Sequence, residues 1–131
     1  MQNLKLETVK AHPYHQYLGL EDFNSKEGTG SLTLKVSDKH INPAGVLHGG
    51  VVYSVLDVVS YVALLSKLTA KQEAATHDIH VSVMRPAKAG DTVSFVAQVE
   101  KLGKSLAFIT SKAKVDGKTI ATARITKSII S

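Results

Sequence analysis

Asp57 is the only charged residue in VVYSVLDVVSYVALL (Val51–Leu65), the most apolar stretch of the sequence. Burying an unpaired carboxylate is costly, so this residue must meet a partner, water or a cleft. A carboxylate held there can serve as a general base or a nucleophile. It can equally accept hydrogen bonds from a Ser, a Tyr or a neighbouring chain and do no chemistry. Immediately upstream, NPAGVLHGG (42–50) delivers Gly49 and Gly50 to the start of the apolar run. The first amides of a helix lack internal partners and lie at its positive dipole end. They suit an anion or a developing oxyanion, and glycine lets a ligand carbonyl approach the backbone closely. A tight turn into a helix would use the same two glycines. A carboxylate and an oxyanion donor on one element are harder to dismiss together than either is alone.

A helix must position these groups. The run is rich in Val, but at fifteen residues it is too long for an ordinary strand. Residues 50–68 are expected to form one buried helix, apolar almost all round. On it Gly50, Ser54, Asp57 and Tyr61 recur at helical spacing and make one polar stripe. Gly49 and Asp57 are eight positions apart, roughly 12 Å along a helix. One carbonyl cannot touch both within a chain. Joint action requires Asp57 from a second subunit, with two sites per two-fold dimer.

The remaining elements read mostly as strands. Residues 4–12 suit a short helix ending near Pro13, and Tyr17 to Val36 reads as two strands around the turn EGTG (27–30). SLTLKVS (31–37) alternates cleanly, and residues 38–50 form a loop. DIHVSVMRP (78–86), TVSFVAQVE (92–100), LAFITSKAKV (106–115) and KTIATARITKSII (118–130) follow, the last two joined by the hairpin signal DG. The expected architecture is α+β, one long central helix with an antiparallel sheet of five or six strands, in a single domain spanning residues 1–131.

Bulk composition narrows the function classes. The chain has 131 residues, no Cys and a net charge of +5. Disulfide and thiolate chemistry are excluded, and the N-terminus lacks the apolar core of a signal peptide, so a cytoplasmic location is expected. Basic residues are dispersed, and four Tyr with three Phe offer little for base stacking. Basic side chains around the mouth of a site for a phosphorylated ligand fit the charge better than nucleic acid does, as does an ordinary surface. The apolar helix approaches bilayer length, but its central Asp argues against a membrane span.

HINPAGVLHGGVVYSVLDVVS, followed by MRPAKAGDTVSFVAQVEKLGKSLAFITSKAKVDGKTIATA, resembles the hotdog-fold acyl-CoA thioesterases of the phenylacetate-pathway and thioesterase-superfamily-member type, over about residues 15–130. The resemblance implies a long helix wrapped by an antiparallel sheet, paired into homodimers and usually tetramers, that hydrolyses acyl-CoA. It implies Asp57 as base or nucleophile from the opposite subunit and the Gly49 N–H as the donor to the thioester carbonyl. His48 would support that group, and Asn42 would position the water or carbonyl. Thr76 falls near a Ser of the animal members and would orient water. His80 departs from the Asn expected on that strand. The thioester is already activated, so no metal or cofactor is expected. The phosphates of CoA would meet Arg85, Lys88, Lys101 or Lys104, and Val55, Val58, Val59, Tyr61 and Val62 are candidates to shape the acyl pocket.

Other motifs carry less. His77 and His80 point to opposite faces of a regular strand and should not chelate one ion. GKS (103–105) and GKT (117–119) lack the Gly that a P-loop places five positions earlier. The competing reading on the same fold is a non-catalytic acyl-CoA binding or sensing module, which would need no base beside the thioester.

Overall fold

The computed structural model describes residues 2–130, which form three helices, six strands and a single turn of 3-10 helix at Asp38–His40. In chain order the elements are α1 (Gln2–Ala11), α2 (Pro13–Leu18), β1 (Glu21–Lys26), β2 (Thr29–Lys35), α3 (Gly49–Leu65), β3 (Glu73–Val83), β4 (Thr92–Leu102), β5 (Leu106–Val115) and β6 (Lys118–Ile130). The strands make one antiparallel sheet in the order β1-β2-β4-β5-β6-β3. Its inner face covers α3, the helix-wrapped arrangement that the sequence leads one to expect.

Alternation builds the inner face. Leu32 and Leu34 of β2, Val93 and Phe95 of β4, Ile109 of β5, and Ala121 and Ile125 of β6 are buried against Val55, Leu56, Val59 and Ala63 of α3. Val is a poor helix former because its branched side chain loses rotamer freedom. Here burial of the Val and Leu side chains outweighs that preference. The approach of β2 to α3 is close enough to demand glycine. A Cβ at Gly30 would lie 2.5 Å from the Ala63 amide nitrogen and 2.9 Å from the Val59 carbonyl oxygen.

Three of the boundaries that differ from the sequence reading have clear physical causes. The chain does not enter a strand at Tyr17, because Pro13 starts α2 and Gly19, at φ 75°, ends it. The strand after α3 begins at Glu73 rather than 78, since the long β6 offers partners as far as Ile130. The central helix stops at Leu65, capped by Ser66, three residues short of the expected end. β5 and β6 match their expected limits.

Candidate active site

Asp57 sits where α3 faces β3 and β6. Its Oδ1 accepts a hydrogen bond from the Thr76 hydroxyl at 2.7 Å and another from the Lys127 ammonium at 2.9 Å. Lys127 also donates to Thr76 Oγ1 at 2.8 Å. Oδ2 of Asp57 has no hydrogen-bond partner among the described residues. The Lys127 side chain is 3% exposed and that of Asp57 37% exposed. The ion pair therefore has a buried cation and a carboxylate that reaches solvent. Burying an ammonium without such a partner would be costly.

Strand register explains how Thr76 and Lys127 come together. Thr76 and Lys127 are direct partners across β3 and β6, and the register shifts between Thr76 and Asp78. This irregularity at His77 changes the phase of β3. Before it Ala74 faces inward, and after it Ile79 and Val81 do. It thereby places Thr76 toward α3 while the later apolar positions also point in. It also breaks the regular alternation assumed for His77 and His80. His77 Nδ1 lies 3.0 Å from Asp78 Oδ2, and no three His, Cys, Asp or Glu side chains among the described residues converge on a metal-sized site.

The other functional end lies at the start of α3. His48 caps the helix, its Nδ1 accepting from the Gly50 N–H at 2.9 Å, which requires the proton on Nε2. The Val51 and Val52 amides bond to the His48 carbonyl. The Gly49 N–H alone in this turn has no partner among the described residues. Gly49 does not have positive φ, and a Cβ there would meet nothing within 4 Å. Neither backbone strain nor packing within the protomer requires glycine at this position. Gly50 differs, because a Cβ would come within 3.2 Å of the capping His48 ring.

The loop before the helix is fixed rather than slack. Asn42 Oδ1 accepts from the Ala44 and Val46 amides, and the His48 amide bonds to the carbonyl of His40. His40 is itself buried, linked to the Ser37 amide and the Leu18 carbonyl. Asn42 thus spends its carbonyl on the loop and keeps its amide group for other contacts.

Of the expected site residues, Asn42, Gly49 and Arg85 line one cleft and Asp57 and Thr76 another, with no lining residue in common, while His48, Lys88, Lys101 and Lys104 line neither. One, of about 340 Å³, is lined by Asn42, Gly49, Tyr53, Met84 and Arg85 among others. The second, of about 280 Å³, is lined by His15, Asp57, Val58, Tyr61, Thr76 and Lys127 among others. Of the residues expected to shape an acyl pocket, Val58 and Tyr61 line the Asp57 cleft, whereas Val55, Val59 and Val62 are fully buried in the core and line neither cleft. His80 faces the outer side of the sheet opposite Arg124, in a groove of about 520 Å³ away from α3. Arg85 and Lys88 lie beside the Gly49 loop, Lys88 through a bridge to Val46. Lys101 and Lys104 lie at the far end of β4, roughly 30 Å from its start at the rise of an extended chain. One protomer does not gather the four cations.

Tyr61 and Glu73 both line the Asp57 cleft, and the Tyr61 hydroxyl donates to Glu73 at 2.5 Å. Burial first, then the hydrogen bond to Glu73 and its charge, push the Tyr61 phenol well above its ordinary range. Burial would raise the Glu73 carboxyl as well, but the Tyr61 hydroxyl, the Ala74 amide and the Lys5 ammonium outweigh it and hold the group below 4.5. Lys127 Nζ stands 5.7 Å from the Tyr61 ring centroid. Sequence reasoning missed Lys127 and Glu73. A signal for Lys127 existed: it takes the inward phase of Ala121, Ala123, Ile125 and Ile129 on β6.

A family model described as the thioesterase superfamily matches residues 44–122, from the loop before α3 into β6. Human acyl-coenzyme A thioesterase 13 is 34% identical over 126 residues, covering 92% of this chain and 88% of that protein. Among solved structures, zebrafish thioesterase superfamily member 2 has a TM-score of 0.86 at 28% identity, covering 98% of this chain and 97% of the other. The Escherichia coli PaaI protein, from the phenylacetic acid degradation operon, has a TM-score of 0.87 at 26% identity, covering 97% and 91%.

Proposed function

Because the chain belongs to the thioesterase superfamily and is a hotdog-fold thioester hydrolase, we propose that it hydrolyses acyl-CoA at sites shared between two protomers. The Gly49 N–H of one subunit polarises the thioester carbonyl. Asp57 of the other acts on it through Oδ2, either by taking a proton from the attacking water or by attacking as a carboxylate. As a base, Asp57 takes a proton from the water that attacks, the carbon–sulfur bond breaks, and the proton passes to the departing thiolate, giving free acid and CoA. As a nucleophile it forms a mixed anhydride while CoA leaves and takes a proton from solvent, and a water then cleaves the anhydride to free acid and the restored carboxylate. Arg85 and Lys88, beside the Gly49 cleft, are the better placed of the four cations for the phosphates of CoA. The assembly is at least a homodimer, and the tetramer that the resemblance implies would contain two such pairs.

One observation carries this reading. The unpartnered Gly49 amide and the free oxygen of Asp57 open into separate clefts of the same protomer, so neither cleft holds both groups. Complementation between two inactive variants tests it. Asp57→Asn removes the base while keeping an acceptor for Lys127 and Thr76. Gly49→Pro deletes one N–H at the first helical position, where proline is tolerated. His48 already has φ −62° and ψ 134°, the region that precedes proline comfortably. Each variant alone should lose activity against a panel of acyl-CoA substrates. Mixed by unfolding and refolding together, half the dimers would be hybrids with one intact site each, restoring about a quarter of wild-type turnover. No recovery from properly mixed hybrids would place both groups in one chain and end this reading.

A further inference from the structure

We propose that Lys127 is a positioning residue for hydrolysis, its ammonium fixing Oδ1 of Asp57 together with the Thr76 hydroxyl so that Oδ2 alone is presented to the reacting carbonyl or water. The inference rests on Asp57 being the reacting carboxylate, and it names what holds that carboxylate. Three distances carry it: Thr76 and Lys127 both bond to Oδ1, at 2.7 and 2.9 Å, and they bond to each other at 2.8 Å.

The triangle removes the rotation that a carboxylate on a helix face would otherwise have. Two donors converge on one oxygen, and the second oxygen has no protein partner among the described residues. Both donors stand on paired strands rather than loops, directly opposite one another. A reacting group gains most from such support when small displacements are costly to rate. The ammonium cannot drift, because it is 3% exposed and lies over the Tyr61 ring. A merely structural lysine would need a counter-ion. It would not need to share one oxygen of that ion with a hydroxyl already hydrogen-bonded to it.

The test compares Lys127→Met with wild type, and the same change in the Asp57→Asn background. Lys127→Met should lower kcat roughly 10- to 100-fold with KM little changed, as expected when a reacting group is misaligned but substrate contacts remain. In the Asp57→Asn background it should lower kcat no further, because the lysine acts only through that carboxylate. The chain has no Cys, so Lys127→Cys can be alkylated at one place. Aminoethylation in denaturant followed by refolding rebuilds an ammonium and should restore most of kcat, whereas a neutral carboxamidomethyl group should not. The alkylated proteins are compared at matched melting temperature, so a folding defect in Lys127→Met leaves the decision with this pair. A kcat within threefold of wild type for Lys127→Met, an equal loss in the Asp57→Asn background, or equal rescue by the neutral group would overturn the proposal. An active Asp57→Asn would instead remove the reading of Asp57 itself, and this proposal with it.

Discussion

Thr76 and Lys127 stand directly opposite one another on β3 and β6, and both bond to the same oxygen of Asp57 on α3. The arrangement joins three elements that are distant in sequence. It depends on the register shift at His77, without which Thr76 and the apolar positions Ile79 and Val81 could not all face inward.

Thr76→Ala should lower kcat by about tenfold while the fold persists, because one of two donors to Oδ1 is lost and Lys127 remains. Thr76→Ser keeps the hydroxyl and should retain most activity. Steady-state thiol release with both variants distinguishes a hydroxyl requirement from a packing one.

Replacing Asp57 by Asn or by Ala should separate chemistry from stability. Both variants lose roughly a hundredfold or more in turnover. Only Asp57→Ala leaves the buried Lys127 ammonium without its main acceptor, and it should be less stable than Asp57→Asn by about 1–3 kcal/mol, the lower end applying because Asp57 reaches solvent. Urea unfolding of the two proteins measures the difference. Equal midpoints would show that an acceptor for Lys127 at this position contributes nothing to folding.

Two glycine-to-alanine changes should behave in opposite ways. Gly30→Ala drives a methyl into the backbone of α3, 2.5 Å from Ala63, and should destabilise the protein by at least about 1–3 kcal/mol. Gly49→Ala meets nothing within 4 Å and improves helix propensity, so its melting temperature should match or exceed that of wild type. Its thioester turnover should nevertheless fall tenfold or more, because the methyl enters the space proposed for the substrate carbonyl. Thermal melts and kinetics on the pair give the contrast.

The Tyr61–Glu73 bond should mark the pH dependence of stability. The Glu73 carboxyl lies below 4.5 in the folded state, so its contribution is present above that pH and is lost as the pH falls through the folded value. The Tyr61 phenol lies above 10.0, so its contribution is complete below that pH and disappears at higher pH. Tyr61→Phe should therefore destabilise at neutral pH, with the gap from wild type narrowing below pH 4.5. Urea midpoints measured across that range provide the check, and a gap independent of pH would show that the bond is energetically silent.

Much of the architecture was legible before any coordinates. Period-two alternation marked β2, the later part of β3 and β4, the DG signal marked the β5–β6 hairpin, and the length of the Val-rich run marked α3. The resemblance in the loop and helix named Asn42, His48, Gly49 and Asp57, and the family comparison supports the enzyme class it implied. The sequence alone does not reveal the second N-terminal helix: Pro13 reads as the end of a helix and Tyr17 as the start of a strand, whereas Pro13 starts α2 and Gly19 ends it. Nor does it reveal the early part of β3, whose EAATH sequence has no alternation of its own and is extended by pairing with β6.

By itself the sequence determined that an acid would ride a long apolar helix behind a glycine turn, since helical spacing along one segment fixes those relations. It could not determine what holds that acid. Lys127 lies 70 residues from Asp57, and their contact depends on strand order, register and a bulge. Those are properties of pairing between strands, and no local spacing encodes them. The separation of Gly49 and Asp57, eight positions along one rigid helix, follows from the sequence, while the tertiary structure gave each of them its own cleft.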